Sequence, residues 1–123
     1  MTRAVVALVS DLIFATKIKS TAEAAGVDVQ VVATLEALSE RLDGRPDALV
    51  LIDLDGSGLD PVEAIALCRR RDPPPRTIAF GPHVRSDLFA AAHRAGAGEV
   101  LARSAFVKRL PAILTSDVGT ETG

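Results

Sequence analysis

Two uninterrupted apolar runs, Ala4-Val5-Val6-Ala7-Leu8-Val9 and Ala48-Leu49-Val50-Leu51-Ile52, constrain what this chain can fold into more than any other feature. A strand with one face in water alternates apolar and polar residues, so a strand that does not alternate must be covered on both faces. Val27 to Val32 is a third strand signal rich in β-branched residues, and two weaker ones follow, Thr77-Ile78-Ala79-Phe80 and Glu99-Val100-Leu101.

The segments between these runs carry helical spacing and helix punctuation. Phe14, Ile18 and Ala22 mark one face of a first helix, which Gly26 closes from the left-handed position. Thr34 caps a second helix, with Leu35, Leu38 and Leu42 facing inward and Gly44 beyond its end. Asp60-Pro61-Val62-Glu63 is a helix start: Asp caps, Pro fits the first turn and Glu follows in the third position. Ser86 is predicted to cap a fourth helix running through Leu88, Phe89, Ala92 and His93 to Gly96. Ser104 is predicted to cap a fifth, with Phe106, Val107, Leu110, Ile113 and Leu114 on its apolar side. Five strands alternating with five helices through right-handed crossovers make an α/β fold: a three-layer, doubly wound, five-stranded parallel sheet, (βα)5, with strand order 2-1-3-4-5. The expected organisation is one domain over residues 1–114 and a flexible tail over 115–123.

At 123 residues the chain has the length of one domain with one ordinary core. Hydrophobic residues at 48% and a net charge of −2 exclude disorder and leave no global basic field to draw the protein to nucleic acid or an anionic membrane. Aromatic content of 3%, all of it Phe, leaves little for stacking on bases. Cys68 is the single cysteine, which excludes an intramolecular disulfide, and its apolar neighbours make it a small buried hydrophobe. The apolar run near the N-terminus is too short for a secretory segment, and no run approaches a membrane span. The expected location is the cytoplasm.

Ligands of doubly wound sheets sit beyond the carboxyl ends of the strands. Those ends carry Ser10 and Asp11, Asp53 to Gly56, Gly81, and Arg103 with Ser104. Ser10-Asp11 after a first apolar strand, Leu51-Ile52-Asp53 ending the third, and Leu101-Ala102-Arg103-Ser104-Ala105-Phe106 together resemble the receiver domain of bacterial response regulators, a CheY-like, flavodoxin-like family, over nearly the whole chain. The resemblance implies roles by position. Asp53 matches the phosphoacceptor, Asp11 the second metal-holding acid, and Asp55 the position whose backbone carbonyl coordinates Mg²⁺. Arg103 stands where a lysine balances charge. The resemblance also marks departures: Ser10 replaces the first acid, Gly81 the switch hydroxyl, Val100 the switch aromatic and Ser104 the proline. Two carboxylates, Asp11 and Asp53, against Arg103 leave the site at a formal −1 without metal, so any Mg²⁺ site is expected to be weak. Arg103 can bridge carboxylate oxygens and take over part of the metal's electrostatic role. The Arg103–Ser104 peptide is expected to be trans, because a non-proline cis bond costs about 2.5–4 kcal/mol.

Several residues have a plain structural reading. Asp11 also makes a satisfactory helix cap, Asp60 is better explained as one, and Arg69-Arg70-Arg71 reads as a solvated helix end. His83 and His93 have no acidic partner at ligand spacing. Without the hydroxyl at Gly81 and the aromatic at Val100, nothing couples Asp53 to a distant surface. The expectation is therefore a pseudo-receiver, not an enzyme, acting by protein–protein interaction in two-component signalling or a phosphorelay. Its partner would be a histidine kinase, another signalling protein or a second copy, bound through the face made by the fourth helix, fifth strand and fifth helix. A receiver phosphorylated on Asp53 is the alternative. Asp53-Leu54-Asp55-Gly56-Ser57 also resembles the signature of haloacid-dehalogenase-like phosphatases, but that family places it on its first strand and needs a later lysine and acidic pair.

Overall fold

The computed structural model describes residues 4–56 and 60–115, so the C-terminal tail from 116 onward lies outside the described residues. Ten elements alternate as the sequence predicts: β1 (Val5–Leu8), α1 (Leu12–Ala24), β2 (Val29–Val32), α2 (Leu35–Leu42), β3 (Leu49–Asp53), α3 (Pro61–Arg69), β4 (Arg76–Gly81), α4 (Ser86–Ala95), β5 (Glu99–Ala102) and α5 (Arg103–Thr115). The strands form one parallel sheet in the order β2-β1-β3-β4-β5. The strands formed by the two continuous apolar runs, β1 and β3, are adjacent, and every residue of these two strands is buried.

Successive side chains of a strand point to opposite faces, and this parity divides the core in two. Val5, Ala7, Leu49, Leu51, Ile78 and Phe80 pack with Phe14, Ile18, Phe106 and Leu110 of α1 and α5. Val6, Leu8, Val50, Ile52 and Ala79 pack with Leu38, Ile65, Cys68 and Ala92 of α2, α3 and α4. Cys68 has no exposed surface, and its burial pushes the thiol up to about 11, as suits a packing residue. Among the described residues no helix is long and apolar enough to cross a membrane.

Three predicted caps form. Ile13 and Phe14 amides donate to Asp11 Oδ1 at 2.9 and 3.2 Å, the Ala37 amide to Thr34 Oγ1 at 3.0 Å, and the Val62 amide to Asp60 Oδ1 at 2.9 Å. The two serine caps do not. Ser86 is already the first residue of α4, and Arg85 precedes it without a side-chain cap bond. No residue separates β5 from α5, so Ser104 lies inside the helix, two positions too late to cap it.

Two other expectations need correction. β2 begins at Val29 rather than Val27, because the Val27 amide is spent on the Ala22 carbonyl at 2.8 Å, closing α1 over Gly26 at φ +73°. The arginine run is not simply solvated. Arg71 donates to the Ser39 carbonyl, to Ser39 Oγ and to Asp43 Oδ1 at 2.8–2.9 Å, tying the end of α3 to α2, which packs beside it. The Arg103–Ser104 peptide is trans, as expected; the cis bond among the described residues is Asp72–Pro73.

Candidate functional site

Asp53 ends β3 with the same parity as Leu49 and Leu51, which sends its carboxylate toward the α1–α5 face, and its side chain is only 2% exposed. The Asp55 amide donates to Asp53 Oδ1 at 2.9 Å, and Arg103 Nη2 reaches the same oxygen at 3.4 Å. Burial raises the pKa of this carboxyl above its ordinary value. The Asp55 amide and the Arg103 charge oppose that shift, while the Asp55 and Asp11 charges add to it.

Arg103 reaches Asp53 because α5 starts directly at the end of β5, placing its first side chain over the sheet's carboxyl edge. The guanidinium carbon stands 5.0 Å from the centre of the Phe14 ring. That ring belongs to an aromatic stack: Phe14 and Phe80 centroids are 5.2 Å apart, Phe14 and Phe106 6.0 Å, and Phe80 and Phe106 4.1 Å at 12° between planes. Three of the chain's four phenylalanines thus lie beneath the ion pair. Sequence reasoning assigned Phe14 to the core alone. Its place three residues after Asp11, on the helix face that turns toward α5, was the available signal.

The remaining predicted residues gather around this pair with separate engagements. Asp11 caps α1, its Oδ1 taken by two amides. A Cβ on Gly56 would stand 3.0 Å from Ser10 Oγ and 3.9 Å from Asp53 Cγ, so the Ser10 hydroxyl flanks the same spot as the acid. The exposed Asp55 carboxylate lies 3.8 Å from Arg85 Nη1, and Arg85 grips Asp87 through Nε and Nη2 at 3.1 and 3.0 Å. Arg85 was missed in the sequence; its position just past the end of β4 would have flagged it. Among the described residues no three His, Cys, Asp or Glu side chains converge as a metal-holding group. One oxygen of Asp11 is taken by amides and one of Asp53 by an amide and a guanidinium, which leaves two carboxylates, with Ser10 in place of a third, to face a hard divalent ion.

The altered switch positions lie on the other face of the sheet. Val100 is partly buried in the α2–α3–α4 core. Gly81 ends β4, and a Cβ there would meet Leu54 Cβ at 3.3 Å and Phe89 Cε1 at 3.6 Å. A side chain at position 81 would therefore press on Leu54 and lie in contact with Phe89.

No protein-family model matches the chain, and no curated protein matches it. Solved structures do match. A response regulator from Thermotoga maritima is similar at 21% identity and a TM-score of 0.71, over 94% of this chain and 100% of the other. The chemotaxis response regulator CheY4 of Vibrio cholerae is similar at 14% and 0.76, over 93% and 97%. A signal receiver domain of an HD domain-containing protein from Pseudomonas fluorescens Pf-5 is similar at 13% and 0.80, over 99% and 98%. With its strand order, its buried Asp53 at the end of β3 and these likenesses over nearly its full length, the chain has the fold of the response-regulator receiver domain.

Proposed function

We propose that this chain is a signalling module of receiver fold that works as a pseudo-receiver in the cytoplasm, binding a protein partner without a phosphorylation-driven switch and without catalysis of its own. The observation that carries this reading is Gly81 at the end of β4, closely packed by Leu54 and Phe89. A receiver reports its phosphoryl group through a hydroxyl side chain at that position, and here a glycine leaves none, with Leu54 and Phe89 3.3 and 3.6 Å from where its Cβ would be. A modification shifts a conformation only through a difference in its interactions with the two states, and no such handle remains on this face. Burial of the Asp53 side chain to 2% exposure supports the same reading, because a phosphodonor must reach that oxygen. The partner is a histidine kinase, another signalling protein or a second copy, seated on the face of α4, β5 and α5.

One observation favours the phosphorylatable alternative: Asp53 and Arg103 are paired at the carboxyl end of the sheet, where that chemistry would need them. Intact mass and amide NMR with Mg²⁺ and acetyl phosphate separate the two. The pseudo-receiver gains no phosphoryl mass and keeps its α4 and β5 signals in place. A phosphoryl adduct on Asp53 with shifts spreading into α4 and β5 would overturn it.

A further inference from the structure

The loops that lead into β3 and β4 lie at the end of the sheet opposite Asp53, and between them is an open cleft of about 440 Å³. We propose that this cleft binds a small carboxylate with a flat apolar body, held by Arg45 and Arg71.

Three observations carry this. First, the cleft falls within the range of about 300–1,000 Å³ usual for small-molecule sites, and its apolar walls are stiff. Pro46, Pro73 and Pro75 stand around it with Leu42, and each proline has a fixed φ and no N–H. A flat apolar body can lie against such walls, and the prolines leave recognition of its charge to side chains. Second, one arginine is already fixed in place. Arg71 Nη2 donates to the Ser39 carbonyl and to Asp43 Oδ1 at 2.8 Å and to Ser39 Oγ at 2.9 Å, while its Nη1 and Nε meet no acceptor among the described residues. A guanidinium held by one nitrogen with two left over is preorganised for a further acceptor. Arg45 pairs with no carboxylate among the described residues, so its charge is open to the same ligand. Third, the local charge selects an anion. Arg45 also borders a second cleft of about 400 Å³, where Arg41 joins it against three carboxylates, Asp28, Glu40 and Asp43. The formal balance is −1 there and +1 in the proline-walled cleft, where Asp72 alone opposes Arg45 and Arg71. An anion is drawn to the second of these and turned away from the first. A carboxylate offers two oxygens in one plane, one for each guanidinium. The cleft shares no residue with the α4–β5–α5 face, so this binding is independent of the partner-binding proposal.

Amide NMR titration of the full chain with benzoate tests it, with benzamide as the neutral counterpart and acetate and inorganic phosphate as anions without the ring. Benzoate should shift the amides of Gly44, Arg45, Arg71 and Asp72 with a Kd on the order of 1 mM, and the other three probes should bind at least about fivefold more weakly. Arg45→Gln should weaken benzoate by about tenfold and leave the thermal melt unchanged, because that side chain holds no described carboxylate. Equal binding of benzamide, or full affinity in Arg45→Gln, would overturn the role of the arginines. Equal binding of acetate or phosphate would overturn that of the apolar walls. Shifts spread equally over Arg69, Arg70 and Arg94, or none at about ten times the expected Kd, would overturn the site itself.

Discussion

The two faces of the sheet are built differently. The α1–α5 face is aromatic: Phe14, Phe80 and Phe106 stack beneath Arg103, and Asp53 points its carboxylate into that side. The α2–α3–α4 face is aliphatic. Its α4 contributes a single fully buried residue, Ala92, and the fourth phenylalanine, Phe89, is only partly buried over Gly81. The charged pair is therefore anchored on the aromatic side, while Gly81 and Val100 sit on the other side and bring no polar side chain to it. A charge site and a relay are separable parts of this fold; here the first keeps Asp53 and Arg103 as a pair, and the second has a glycine packed by Leu54 and Phe89.

The largest expected effect probes the aromatic face directly. Phe106→Ala should destabilise the protein by about 3–5 kcal/mol, because it removes a fully buried ring and the stack under Arg103. Phe89→Ala should lose only about 1 kcal/mol, since its ring is partly exposed already. Urea denaturation of both variants measures the contrast, and equal losses would break the distinction between the faces.

A second comparison sharpens the packed relay. Gly81→Thr should destabilise by about 1–3 kcal/mol, because its Cβ meets Leu54 at 3.3 Å and its branches must displace Leu54 or Phe89. If this variant is as stable as the parent, the space is open and the relay position is merely empty.

Asp53→Asn should go the other way, stabilising by about 1 kcal/mol at neutral pH, because a buried ionised carboxyl becomes neutral while an oxygen remains for the Asp55 amide. The pH dependence follows from the raised pKa of Asp53 in the folded chain. Between its ordinary value of 3.8 and the folded value, the folded state holds more protons than the unfolded one, so stability falls as pH rises through that window. The Asn variant should lose that fall, which denaturation midpoints on either side of the window will show.

The smallest expected effect concerns output. For a partner bound on the α4–β5–α5 face, Asp53→Asn or beryllofluoride should change affinity by less than about threefold, under ~0.7 kcal/mol. A tenfold change would show that the two faces communicate by another route.

The fold was legible in the chain because its causes are local and periodic. Unbroken apolar runs demand cover on both faces, and caps at Asp11, Thr34 and Asp60 satisfy amides two or three residues away. The placing of Asp53 and Arg103 on one edge also followed, since a parallel sheet puts the carboxyl ends of all its strands on the same side. Ser86 and Ser104 were misread because capping depends on where the chain leaves its strand, which residue type does not encode. The seat of Arg103 on Phe14, the closure of Gly81 by Leu54 and Phe89, and the reach of Arg85 toward Asp55 and of Arg71 toward α2 were decided only in three dimensions. Each joins residues far apart in sequence through side-chain packing, and packing obeys no sequence period; it depends on which rotamers fill the volume left once the layers have met.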